Sequence, residues 1–168
     1  MKSQRRMLIK WSVPVITTIA LPAHAQTSIN TLTTSATCTI NSVTPSSATL
    51  DPGDSFIVNV TYSVVNPPPT FQGIISASTI LIGITNPPGT QTGFASPSTN
   101  IDNTTLSGTI NLTVPYTALA NIQNAPGVVT SDTVNVFIGG NTLSFPNPGS
   151  QAAIGTCEAP VNFIFNPL

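Results

Sequence analysis

The sequence predicts an all-β chain, a two-sheet antiparallel sandwich of about seven strands preceded by an export signal. Three observations point there. From Phe56 to Val64 the residues alternate, with Phe56, Val58, Val60, Tyr62 and Val64 on one face, Asn59, Thr61 and Ser63 on the other, and Ile57 the one apolar exception. A strand with one dry face needs a second apolar surface over it. Punctuation is dense, 16 Pro and 11 Gly in 168 residues, and it cuts the chain into runs too short for most helices. Between the breaks, β-branched residues dominate and strong helix formers are scarce.

In chain order, Met1 to Ala25 shows the three regions of a signal peptide. Lys2, Arg5, Arg6 and Lys10 form a basic start, Trp11 to Leu21 an apolar middle, and Ala23-His24-Ala25 a small-x-small cleavage site. Cleavage after Ala25 makes Gln26 the mature N-terminus. The apolar middle is shorter than the roughly 20 residues a bilayer span needs, and Pro14 interrupts it, so no stable membrane span is expected after cleavage. Gln4-Arg5-Arg6-Met7-Leu8-Ile9-Lys10 resembles a twin-arginine export signal in Arg5, Arg6, Leu8, Ile9 and Lys10, with Gln4 where Ser or Thr is more usual. The resemblance implies export of an already folded chain, whose disulfide would form only outside the reducing cytosol.

Gln26 to Ala36 is polar and reads as a flexible leader; the spacing of Ile29 and Leu32 does not supply the alternation of a donor strand. Thr37 to Val43 is the first strand, with Cys38, Ile40 and Ser42 on one face. Thr44-Pro45-Ser46-Ser47 bends the chain and Ala48 to Leu50 resumes it. Asp51-Pro52-Gly53-Asp54-Ser55 is turn chemistry leading into the alternating strand. Asn66-Pro67-Pro68-Pro69-Thr70 ends that strand, because prolines offer no ladder donors. Gln72 to Thr85 is apolar on both faces in its second half, at Ile80, Leu81, Ile82 and Ile84, as in a fully buried strand or one whose outer face meets a partner. Thr90 to Thr105 reads as loop around a short strand near Phe94. Leu106, Ile110, Leu112 and Val114 share one face of the next strand, and Ala118 to Asn124 is the one local helical prospect. Thr133 to Ile138, Gly139-Gly140-Asn141 and Thr142 to Phe145 read as a hairpin with a glycine turn. Val161, Phe163 and Phe165 alternate in a last strand.

Charge excludes more than any motif supports. All four Lys and Arg residues and the only His precede Gln26, so the mature chain has no basic side chain; its charges are Asp51, Asp54, Asp102, Asp132 and Glu158. Nucleic-acid binding needs cations to neutralise phosphates, and anionic lipid needs a basic patch. Without His or Lys there is no imidazole base or ligand and no Schiff base, and a Ser or Thr hydroxyl lacks its usual activator. The sequence therefore predicts no enzyme, no cofactor and no metal. Two alternatives stand against that. A pair of carboxylates can act on carbohydrates if they face each other across a cleft; Asp102, Asp132 and Glu158 have no recognisable context, and that reading requires Asp102 and Asp132 to lie close together. Asp51 and Asp54 could share a calcium ion, but two carboxylates are few for such a site.

The mature chain's 143 residues, 168 less the 25 of the signal, make one domain, and Cys38 and Cys157 lie near its two ends. An even pair in an exported protein reads as a disulfide. The run from Cys38 to Tyr62, with Asp51-Pro52-Gly53-Asp54 before the strand, resembles bacterial surface immunoglobulin-like and fibronectin-III-like modules, in which a Pro-Gly-Asp turn commonly introduces the second strand. The resemblance implies an immunoglobulin-like sandwich over residues 37–168. The mature chain departs from antibody domains in having no Trp and in the placing of its cysteines, so the bond is expected to tie the first strand to the last region. The function expected is a non-catalytic structural or binding module in the periplasm, at the cell surface or outside the cell. The alternative is a filament subunit assembled by strand addition. The partner expected is a protein, or a second copy joined at a sheet edge; no motif names a ligand.

Overall fold

The computed structural model describes residues 33–83, 91–117, 127–142 and 151–166, all within the compact unit Thr31–Leu168. The export-signal residues Arg5, Arg6, Leu8, Ile9 and Lys10, the cleavage residues Ala23, Ala25 and Gln26, and the helical prospect 118–124 lie outside the described residues.

The described residues form nine strands: β1 (Ser35–Thr44), β2 (Ser47–Leu50), β3 (Ser55–Val65), β4 (Gln72–Leu81), β5 (Gln91–Ala95), β6 (Thr99–Asp102), β7 (Ser107–Pro115), β8 (Val129–Gly140) and β9 (Ala152–Phe165). One sheet has the order β1-β3-β7; the other runs β2-β9-β8-β4-β5, with β6 also on β4. All pairs are antiparallel except β2 with β9. First, second and fifth major strands against third, sixth and seventh is the division of the immunoglobulin sandwich, here with β5 and β6 extending the second sheet beyond its third strand. The fold is thus an immunoglobulin-like two-sheet β-sandwich.

Its core is what the alternation predicts. Phe56, Val58, Val60, Tyr62 and Val64 are buried while Ile57 stays 41% exposed. They pack against Ile75, Ala77 and Leu81 of β4, Val134, Val136 and Ile138 of β8, and Val161, Phe163 and Phe165 of β9. Each large side chain so buried stabilises by about 1.5–3 kcal/mol before entropy is counted. At one end five aromatic rings interlock: Phe56 stacks on Phe163 at 4.7 Å, and Phe94, Tyr116 and Phe165 lie 4.6–5.3 Å from one another.

The structure corrects several readings. In β1 the register slips between Ile40 and Ser42, so Asn41 is an extra residue and Val43, not Ser42, turns inward. β1 also begins at Ser35, inside the segment read as leader. Ala48 to Leu50 does not resume the first strand; it changes sheets and pairs with Phe163–Phe165. Within Thr90 to Thr105 the short strand expected near Phe94 is present as β5, but a second strand, β6, runs through the part read as loop. Gly139 and Gly140 make no turn: both lie within β8, paired to Ala153 and Ala152. The second of them is required by packing, since a Cβ on Gly140 would stand 2.6 Å from Phe71 Cε2. The last strand begins at Ala152, five residues before Cys157, and not after it.

Candidate functional site

The cysteines meet. Cys38 of β1 is bonded to Cys157 of β9, with the Cα atoms 5.7 Å apart and a sequence separation of 119. The bond ties the edge of the three-stranded sheet to the second strand of the other sheet. β1 passes so close to β9 here that a Cβ on Gly155 would strike the Ala36 carbonyl.

The Asp51–Ser55 turn is a second tie. Asp54 N–H donates to the Asp51 carbonyl at 2.9 Å, and Asp51 N–H to Asp54 Oδ2 at 2.8 Å, closing the turn on itself. Outward it grips both sheets: Gly53 N–H donates to the Tyr116 carbonyl, Tyr116 N–H to the Asp54 carbonyl, and Asn166 Nδ2 to Asp51 Oδ1 at 2.7 Å. The Tyr116 hydroxyl reaches the Asn166 carbonyl, and burial, with Asp51 nearby, pushes that phenol's pKa up.

The other acids are dispersed. Asp102, at the end of β6, is capped by the Thr104 hydroxyl at 2.7 Å and the Thr104 N–H at 2.8 Å, with Thr105 adding a weaker bond, and these donors hold its carboxyl below the ordinary range. Asp132 lies within β8, not on a loop, and accepts from the Thr133 hydroxyl. Asp102 is level with Gln72, and Asp132 falls beyond the Thr79–Val134 pair near the other end of β4, so nine residue steps, about 30 Å, separate them along the sheet. They form no pair across a cleft. No group of three or more His, Cys, Asp or Glu side chains fit to hold a metal occurs among the described residues, nor does a helix long and apolar enough to cross a membrane.

The chemistry left is that of the two outer faces. On β1-β3-β7 the register aligns like with like: Asn59 opposite Asn111, Thr61 opposite Thr109, Thr39 opposite Thr61. Asn41 Nδ2 donates to Asn59 Oδ1 at 2.7 Å and to Thr61 Oγ1 at 2.9 Å; Asn59 Nδ2 donates to Asn111 Oδ1 at 2.7 Å, and the Thr61 and Thr109 hydroxyls lie 2.8 Å apart. These side chains answer one another.

On the other sheet, a shallow concavity of about 590 Å³ is lined by Ser78 of β4, Asn135 and Phe137 of β8, and Thr156 and Glu158 of β9, with Val136 and Cys157 between them. Register sets the layout. Glu158, Asn135 and Ser78 form one cross-strand row, and Thr156, Phe137 and Ser76 the next. Phe137 leans forward along β8 over Gly139, away from Asn135, and a Cβ there would meet the ring at 2.7 Å. Among the described residues it is the one aromatic side chain outside the core.

Sequence reasoning had Glu158 in its charge inventory but gave none of these residues a role. The signal was present: Val134, Val136 and Ile138 alternate, so Phe137 is an aromatic on the polar phase of its strand.

No family model and no curated protein matches the chain. Among solved structures it is similar to the Pseudomonas fluorescens alkylpurine DNA glycosylase AlkC, bound to DNA containing an abasic site analogue, at 11% identity and TM-score 0.34 over 79% of this chain and 30% of that one. It is also similar to murine CRIg at 11% identity and TM-score 0.31, over 77% of this chain and 98% of the other. The chain thus spans less than a third of the glycosylase chain. Likeness at these scores bears on neither fold nor function, and the fold is read from the strand order itself.

Proposed function

We propose that this protein is an exported, non-catalytic structural or binding module that works in the periplasm, at the cell surface or outside the cell. The observation that carries the reading is the pairing of a disulfide-tied immunoglobulin-like sandwich with a chain that has no Lys, Arg or His after residue 25. Such a surface offers shape and neutral hydrogen bonds and lacks the bases and nucleophile activators of most enzymes. A long-loop disulfide belongs to an oxidising compartment.

The test is the mass and protease response of the exported protein. It should begin at Gln26, and trypsin, which cuts after Lys or Arg, should leave it whole even after denaturation and reduction. Tryptic fragments, or retention of the intact precursor in the cytosol, would overturn the export reading; turnover of a substrate would overturn the non-catalytic one.

A filament subunit is the second reading, favoured by β7. That strand ends its sheet in the order β1-β3-β7 and carries no charged side chain, and uncharged edges are templates for strand addition. Size-exclusion separates the two, since the module elutes as one species at all concentrations and the filament subunit as polymers that grow with concentration.

A further inference from the structure

The half-buried outer face of β4, β8 and β9 deepens the binding reading above and rests on it. Hydrogen-bonding capacity is open here. The side chains of Ser78, Asn135, Thr156 and Glu158 make no hydrogen bond to another described residue, whereas the other four carboxylates are all engaged by neighbours. The row Glu158–Asn135–Ser78 sets a carboxylate, an amide and a hydroxyl side by side across three strands, a width of about 10 Å. One two-residue step along lies Phe137, held down over Gly139.

Ligand class follows from this chemistry. With no cation on the mature chain and a carboxylate in the row, an anion has no partner and is repelled. A neutral polyol fits: its hydroxyls donate to Glu158 and exchange donor and acceptor roles with Asn135 and Ser78, and its C–H face lies on the aromatic ring, whose negative π-face attracts it. Ten ångströms accommodates one or two sugar rings, and the concavity of about 590 Å³ lies within the usual range for small-ligand sites. We propose that this face binds a neutral carbohydrate, with Phe137 as stacking platform and Glu158, Asn135 and Ser78 as the hydrogen-bonding row.

The test measures retention of the exported protein on immobilised neutral oligosaccharides (glucan, galactan, mannan and chitin oligomers), with the insoluble parent polysaccharides as a second arm and acidic oligouronides as control. The expected result is retention by at least one neutral glycan, soluble or insoluble, and none by the oligouronides. Glu158→Gln, which preserves shape and removes charge on an exposed side chain, should weaken retention about tenfold or more. Phe137→Ala should do the same, while Thr109→Ala on the opposite face should leave retention unchanged. Absence of retention on every neutral glycan, preference for the oligouronides, or unchanged retention in Glu158→Gln would overturn the proposal. Chromatography of the probe after incubation separates the two levels: a cleaved oligosaccharide overturns the non-catalytic reading, whereas an intact but unbound one overturns only carbohydrate recognition.

Discussion

Asn59 and Asn135 occupy matching places. Each is on the middle strand of its sheet, β3 in one and β8 in the other, faces outward between two fully buried valines, and is half-buried itself. Asn59 accepts from Asn41 and donates to Asn111, in a chain of amides that crosses all three strands. Asn135 stands between Ser78 and Glu158 and bonds to neither. One residue type, in one structural setting, thus closes a surface in the first sheet and leaves it open in the second. The difference lies in the opposing residues. Register puts amide against amide in one sheet, at 2.7 Å; in the other it puts the amide between a short hydroxyl and a long carboxylate that reaches away to solvent. An outer face is inert or available according to what its cross-strand partners leave unsatisfied.

The largest expected effect removes the tie that holds the two faces in place. Replacing Cys38 and Cys157 together by Ser opens the loop closed across a sequence separation of 119 and should cost about 4 to 5 kcal/mol if loop-closure entropy is fully expressed, read as a lower urea midpoint. Both faces should suffer, because one cysteine belongs to each sheet. Next comes the closed face alone: Asn59→Ala removes a donor and an acceptor from the amide chain and should cost about 1 kcal/mol, read the same way. Glu158→Gln, on the open face, should leave the urea midpoint within about 0.5 kcal/mol of wild type.

The smallest effect is on pH. Asp102 is depressed by the Thr104 donors, so its contribution is present above the ordinary carboxylate range and is lost as pH falls through its own lower value. The Tyr62 and Tyr116 phenols are raised, mainly by burial, so their contribution is present below the ordinary phenol value and lost as pH climbs through the raised ones. With no His or Lys after residue 25, the urea midpoint should be level from about pH 6 to 9, with an acid limb that Asp102→Asn reduces and an alkaline limb that Tyr62→Phe reduces. A sigmoid near neutrality would mean an unaccounted titrating group.

How much of this was legible depended on whether a residue's role was local. The alternation in β3 and the last strand named the core correctly because burial follows a period of two. The Asp51–Ser55 turn was legible as a turn, but not as a clamp on Tyr116 and Asn166, since those partners come from distant chain positions. The strand near Phe94 was legible, but its pairing was not, because side chains complete the ladder: Thr79 Oγ1 accepts from Phe94 N–H and Ser96 Oγ from Ala77 N–H, both at 3.0 Å, so Ser96, which read as loop, sits in buried pairing. Gly139 and Gly140 read as a turn because their need is for space beside Phe137 and Phe71, which no local rule reveals. The open face was hidden for a related reason. Phe137 was out of phase in its strand, but its neighbours Glu158 and Ser78 come from two other strands, and only the register assembles them.

The most direct measurement takes Asn59→Ala and Asn135→Ala side by side, reading urea midpoint and retention on neutral glycan for each. The two should cross over: Asn59→Ala loses stability and keeps retention, and Asn135→Ala keeps stability and loses retention. Parallel behaviour, with both variants weaker in both readouts or neither changed in either, would contradict the account of one satisfied face and one open one.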